Sequence, residues 1–210
     1  MTNNTAAPSL ADALKEQTRE AHTRAERHPV QARMVKGQVT RAEYAAWLGQ
    51  MLPVWRAVDE GLRMAAARDT RVAAMLKPYH PHAVRIEADL QFLGVQAGVP
   101  LPATERFVSF ITGAAAGIEV LGVWYVLEGS ANGGRFIAAA ISRALGIEGP
   151  EGLTGFNPHG EAQRDRWQAW RADLDANHFT ESERAVVVSA AATSFDAVWE
   201  IMEDMQARAA

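Results

Sequence analysis

Lys15, Arg19 and His22 recur at i, i+4 and i+7, so on a helix they share one stripe. Two cations beside a neutral imidazole can hold acidic groups while the imidazole binds what lies next to them. The plainer reading is a solvated cationic stripe with a surface histidine, because Glu16 and Glu20 interleave. A second pattern lies far along the chain. Gly129, Gly133 and Gly134 fall inside the run from Trp124 to Ile137, whose flanks read as helix. Each interior glycine costs about 1 kcal/mol against alanine. Gly129 and Gly133, four apart, lie on one face, where a bare backbone strip admits a large flat body and lets the helix bend. Close packing against another helix is the alternative use of such a strip.

Other chemistries are less well supported. His80-Pro-His82 sets two imidazoles close together, but Glu87 and Asp89 complete no metal geometry, and the pair reads as loop histidines before a helix. His28, His159 and His178 fall at helix edges or in loops and receive no role. The chain has no cysteine, which excludes disulfides, thiolate nucleophiles, iron–sulfur clusters and cysteine-based zinc sites. It has no Glu-x-x-His pair for a di-iron site. Gly-Ser-Ala-Asn-Gly at 129–133 has no strand before it, so Ser130 is not a hydrolase nucleophile.

The elements that must position these residues are helical throughout. The 210 residues, 48% hydrophobic, suffice for one core, and a net charge of −4 does not support a general nucleic-acid binder. Residues 1–9 read as a flexible tail without the features of a signal peptide. Ser9 is a candidate N-cap for a first helix to about Arg27, ended by His28-Pro29. Thr40 with Glu43 forms a capping box for a second helix to about Ala67, which Pro53 should kink. Further helices are expected over about 83–97, 103–115, 117–145, 161–176 and 181–207, the last opening with a Thr180/Glu183 box. Phe107 to Leu127 carries one charge, Glu119, and has the length of a membrane span, but Gly113 and Gly117 interrupt it and a buried central helix explains it better. With no alternating strand pattern, repeat or linker, the expectation is one compact all-α domain over 10–207, with no membrane or nucleic-acid partner.

The two opening patterns gain meaning together. A flat, iron-centred dianionic ligand would use the imidazole as axial ligand, the two cations on its acidic groups and the glycine face as a wall, and that ligand is heme. The residues that carry this reading resemble a known family. Leu14-Lys-Glu-Gln-Thr-Arg-Glu-Ala-His22-Thr-Arg-Ala-Glu26, followed by Lys36-Gly-Gln-Val-Thr-Arg41, resembles the proximal region of heme oxygenases. Val126-Leu-Glu-Gly-Ser-Ala-Asn-Gly-Gly134 resembles their glycine-bearing distal helix, in the style of the bacterial, biliverdin-producing branch. The likeness continues into Gln168-Ala-Trp-Arg171 and Ala192-Thr-Ser-Phe-Asp196, and spans about residues 10–205.

The resemblance implies a heme-oxygenase-type fold with a kinked distal helix. His22 would be the axial ligand of the iron of heme b, which is both substrate and cofactor. Lys15, Arg19 and Arg171 would meet propionates, Gly129 and Gly133 would touch the distal face, and Phe195 would line the pocket. It implies oxidation of heme by O2 to biliverdin, carbon monoxide and ferrous iron, in the cytoplasm. The chain shows no flavin or nicotinamide fold, so a ferredoxin or reductase would supply the electrons, and a phytochrome could receive the biliverdin. Three positions depart from the animal enzymes. Ser130 stands where an Asp organises the water that protonates oxygen, so Asn132 or a water chain would share that role. Trp55 stands for a Tyr on the kinked second helix and cannot accept a hydrogen bond, and Trp167 stands for a propionate-side Lys. These departures also admit a non-catalytic heme carrier, sensor or interaction protein on the same fold.

Overall fold

The computed structural model describes residues 8–209, so the expected tail lies outside the described residues as far as residue 7. Ser9 caps the first helix, its Oγ accepting from the Asp12 amide at 3.1 Å. Ten α-helices follow in order: α1 (Leu10–Gln17), α2 (Arg19–Glu26), α3 (Pro29–Val35), α4 (Arg41–Ala66), α5 (Thr70–Met75), α6 (Ala83–Phe92), α7 (Pro102–Ala114), α8 (Val120–Leu145), α9 (Gln163–Asp175) and α10 (Glu181–Ala209). There is no strand among the described residues, and the all-α single domain expected from the sequence is what is found.

The differences from expectation have local causes. The first helix is two. Thr18 is buried, its Oγ1 donates to the Leu14 carbonyl at 2.7 Å, and its backbone leaves helical geometry at φ −102°, ψ 4°. Pro29 starts a helix as well as ending one, because a first-turn proline gives up no hydrogen bond; His28 caps α3 through Nδ1. The short α5, begun by the Asp69 side chain on the Arg71 amide, was not expected. The apolar run 107–127 is broken at Ala115–Glu119 and is not one helix. The described helix that is long and apolar enough to cross a membrane is instead Glu181–Arg208 of α10, which packs against α8, α7 and α2. Both capping boxes form, Glu43 with Thr40 and Glu183 with Thr180. Pro53 lies inside a continuous α4.

The core is centred on α4, α8 and α10. Leu48, Val54, Val58, Leu121, Val123, Trp124, Val187 and Ile201 are all buried there; each fully buried large aliphatic side chain contributes about 1.5–3 kcal/mol. α8 and α10 approach closely at Gly122, where a Cβ would lie 2.1 Å from the Val187 carbonyl oxygen. A glycine is therefore required on α8 already before the Gly129–Gly134 segment.

Candidate functional site

One open cavity of about 390 Å³ lies between α2, α4, α8 and α10, walled by the loop before α9 and by Trp167 of α9. Its lining is largely apolar: Trp47, Leu48, Met51, Trp55, Ile86, Ile137, Phe156 and Val198 among others. Such a cavity suits a large hydrophobic ligand held by a few polar groups.

His22 enters it from α2. The imidazole is 52% exposed, stands edge-on to Phe195 with ring centroids 5.4 Å apart, and has Nδ1 3.5 Å from Glu26 Oε2. The carboxylate lies on the Nδ1 side of the ring and leaves Nε2 on the other side, the edge that a metal-ligating histidine would use. Among the described residues no protein group bonds Nε2. Phe195 lines the same cavity from α10.

The glycine segment forms another wall, and its three glycines do different work. α8 runs through all of them without interruption, so any bend there does not break the helix. Gly133 is exposed on the cavity, and a Cβ built on it meets nothing within 4 Å. Gly129 also lines the cavity, but its Cβ would lie 3.0 Å from the Trp167 ring. Gly134 is buried against protein, its Cβ position 2.1 Å from the Phe156 carbonyl oxygen. The bare strip expected from the spacing is therefore present at Gly133, in part at Gly129, and absent at Gly134. Ser130 is exposed at the cavity and donates its Oγ proton to the Leu127 carbonyl at 2.7 Å. It thus offers only acceptor lone pairs. Asn132 likewise turns its Nδ2 to the Gly129 carbonyl at 3.1 Å.

The expected cations are not on the cavity wall. Lys15 is exposed, Arg19 pairs with Glu16 at 3.1 Å in an exposed contact, and Arg171 pairs with Asp12 at 2.9 Å. The break at Thr18 separates Lys15 from Arg19 and His22, so the stripe is not one continuous helical face.

The structure adds residues that the sequence did not single out. His82, read as a loop histidine, is 2% exposed and lies on the cavity. Its ring stacks on Trp55 at 3.9 Å and 18°, and its Nε2 donates to the Gly155 carbonyl at 3.0 Å. Burial pushes its pKa down to about 4. Asp59 of α4 accepts from the His82 and Ala83 amides and so caps α6. Asp89 holds the loop that carries Gly155, accepting from the Thr154 and Gly155 amides at 3.1 and 2.6 Å. Tyr44 donates to the Gly152 carbonyl at 2.7 Å.

Directly before Gly129, Glu128 is 2% exposed and accepts from His159 Nε2 at 2.8 Å, while Arg166 donates to His159 Nδ1 at 2.8 Å. Burial would raise the Glu128 carboxyl, but the His159 hydrogen bond and the nearby histidines bring it below its ordinary value, so it is a carboxylate. Only the His-Pro-His spacing hinted at any of this in the sequence. Glu128 and His159 come together from positions 31 residues apart and left no local signal.

Fold and cavity together define a class: an all-helical protein that presents one accessible imidazole and one bare helix face to a shared apolar space. The heme oxygenase family model matches residues 8–204, and the chain belongs to that family. It is 27% identical to heme oxygenase 1 of Pongo abelii over 210 residues, covering 94% of this chain and 72% of that one. Among solved structures, heme oxygenase from Leptospira interrogans superposes with a TM-score of 0.84 at 23% identity, covering 93% and 98% of the two chains. Heme oxygenase-2 from Synechocystis, in complex with heme and NO, superposes at 0.85 with 21% identity, covering 96% and 86%.

Proposed function

We propose that this protein binds heme b in the cavity through His22 and degrades it to biliverdin, carbon monoxide and ferrous iron. The observation that carries the proposal is the exposed His22 imidazole, with Glu26 beside it, lining a cavity that Gly133 leaves open. Family membership supports it. Among the described residues no three metal-ligating side chains converge. A single imidazole suits an iron already held by four ring nitrogens.

The residues fit that ligand. His22 would hold the iron, Phe195 would pack beside the axial imidazole, and the apolar lining would receive the macrocycle. Gly129 and Gly133 let the ring approach the α8 backbone and constrain what binds on that side. Lys15, Arg19 and Arg171 lie toward the surface, where long cationic side chains can reach carboxylates at the rim. Ser130 borders the cavity from α8, where its hydroxyl would act as a hydrogen-bond acceptor. Bound heme, with dioxygen, supplies the oxidising chemistry, and the electrons come from an external ferredoxin or reductase. A cytoplasmic setting and delivery of biliverdin to a phytochrome belong to the same reading.

Titration of the purified protein with hemin tests it. A one-to-one complex with a histidine-ligated Soret band, converted to biliverdin under ascorbate, is the expected result; no binding would overturn it. The second reading, a heme carrier or sensor, is favoured by Ser130 having spent its proton within its own helix. Stable heme under the same reductant would select that reading.

A further inference from the structure

Resting on the heme-degrading reading above, we propose that Glu128, His159 and Arg166 are positioning residues. Their hydrogen-bonded chain sets how closely Trp167 stands over the α8 glycine wall, and so how much room the cavity leaves beside Gly129. Each member adjoins a piece of that wall. Glu128 directly precedes Gly129 on α8, Arg166 directly precedes Trp167 on α9, and His159 follows Phe156 by three residues in the loop between them. Gly129, Phe156 and Trp167 all line the cavity. Gly129 and Trp167 meet so closely that a Cβ on the glycine would lie 3.0 Å from the ring. The chain therefore joins the three segments that form this narrow place, and it does so one residue away from the contact itself.

The bonds run in one direction. An arginine only donates, so His159 Nδ1 accepts from Arg166 at 2.8 Å. The ring proton then sits on Nε2 and goes to the Glu128 carboxylate at 2.8 Å. One imidazole thus links a buried anion to a partly exposed cation. The chain has no reserve. The other Glu128 oxygen, Oε2, is buried without a hydrogen-bond partner, so among the described residues His159 is the one link of the carboxylate. A buried charge is held hard to a single link, because losing it leaves the charge uncompensated. At the far end Arg166 is fixed a second time, its guanidinium 4.1 Å over the Tyr79 ring, which meets His159 edge-on at 5.6 Å. Aromatic contacts also join α8 to α9, Tyr125 with Trp167 and Trp124 with Trp170. Apolar burial draws the helices together without fixing a direction, whereas hydrogen bonds specify both length and angle.

Iron ligands of graded size read the gap. Imidazole and 4-phenylimidazole are titrated separately into the ferric hemin complex and followed by the Soret band. The ratio of their affinities reports the room at the glycine wall, and a general loss of stability or of hemin affinity cancels from it. Glu128→Leu removes the acceptor of the chain. Arg166→Leu removes the donor at its partly exposed end, where folding is least at risk. Glu128→Gln keeps an acceptor for His159, and Arg166→Lys keeps a donor of similar reach. Both Leu variants are expected to raise the ratio in favour of 4-phenylimidazole by about fivefold, the strength of one net hydrogen bond. The Gln and Lys variants are expected to stay within about twofold of the parent. Thermal melts establish that each variant folds, and the Arg166 pair decides alone where Glu128→Leu does not. A ratio unchanged or lowered in Arg166→Leu, or raised as far by Arg166→Lys, overturns the proposal. In the apo protein, two-bond proton–nitrogen NMR should show the His159 proton on Nε2; a proton on Nδ1 overturns the chain independently of heme. Failure of the parent protein to bind hemin overturns the function proposed above, whereas hemin binding with an unmoved ratio overturns only this assignment.

Discussion

His22 and His82 border the same cavity in opposite states. His22 is half exposed, touches one carboxylate at 3.5 Å and keeps a nitrogen open. His82 is 2% exposed, stacked, and bonded through ring and backbone alike. The contrast shows what each imidazole is suited to do. A group that must capture a ligand from solution needs access and an open lone pair, with only light orientation. A group that must keep one hydrogen-bonding direction needs neighbours on every side. Near-equal residue chemistry is thus divided into a ligand and a fixture by burial alone.

The comparison breaks most sharply at the ligand. His22→Ala is expected to abolish the histidine-ligated Soret spectrum and reduce biliverdin formation to background, with little change in melting temperature, since an exposed side chain carries little packing. A spectrum unchanged from the parent would show that another residue ligates iron.

The fixture side is tested by pH. Burial depresses both His80 and His82 to about 4, from an ordinary value of 6.5. Between those values the unfolded chain binds protons that the folded chain refuses. The stability they represent is therefore complete above about pH 6.5 and is lost as pH falls toward 4. Each contributes at most about 3 kcal/mol to that loss. Urea titrations across pH 7 to 4 should show the decline, and His82→Phe should make it shallower. A profile with the same slope in parent and variant would rule out His82 as a source.

The glycines sharpen the comparison within one helix. Gly134→Ala puts a methyl against the Phe156 carbonyl and should destabilise by about 1–3 kcal/mol. Gly133→Ala meets open space and should stabilise α8 by up to about 1 kcal/mol while weakening hemin affinity. Chemical denaturation and hemin titration measured together decide whether stability and binding part in this way. The smallest effect belongs to Arg19→Ala. Its exposed pair with Glu16 is worth about 0.5 kcal/mol or less, so a several-fold loss of hemin affinity at low salt would come from a contact with the ligand and not from folding.

Much of the fold follows from local signals in the sequence. Caps at Ser9, Thr40 and Thr180 are local signals, and the helices they begin are where the spacing put them. His22, Gly129 and Gly133 do share a cavity, because each is specified by residue type on a strongly periodic helix. What was not legible is nonlocal. Thr18 looks like any helical threonine until burial makes its hydroxyl bond back to Leu14. Gly134 resembles Gly133 until the loop at Phe156 is brought against it. His82 reads as a loop residue because its burial depends on Trp55 and Gly155, distant in sequence and adjacent only in the fold.

The aromatic side chains around the cavity have an optical consequence. Trp47, Trp55 and Trp167 line it; Trp170 stacks on Trp167 at 5.2 Å, and Trp124 meets Trp170 edge-on at 5.4 Å. Of the six tryptophans, only Trp199 belongs to neither group, packing instead beside His28. Nearly all the ultraviolet emission of the protein therefore originates at the ligand space or one or two rings removed from it. A chromophore seated there would darken the molecule by energy transfer, and the emission would return as the chromophore is consumed or released.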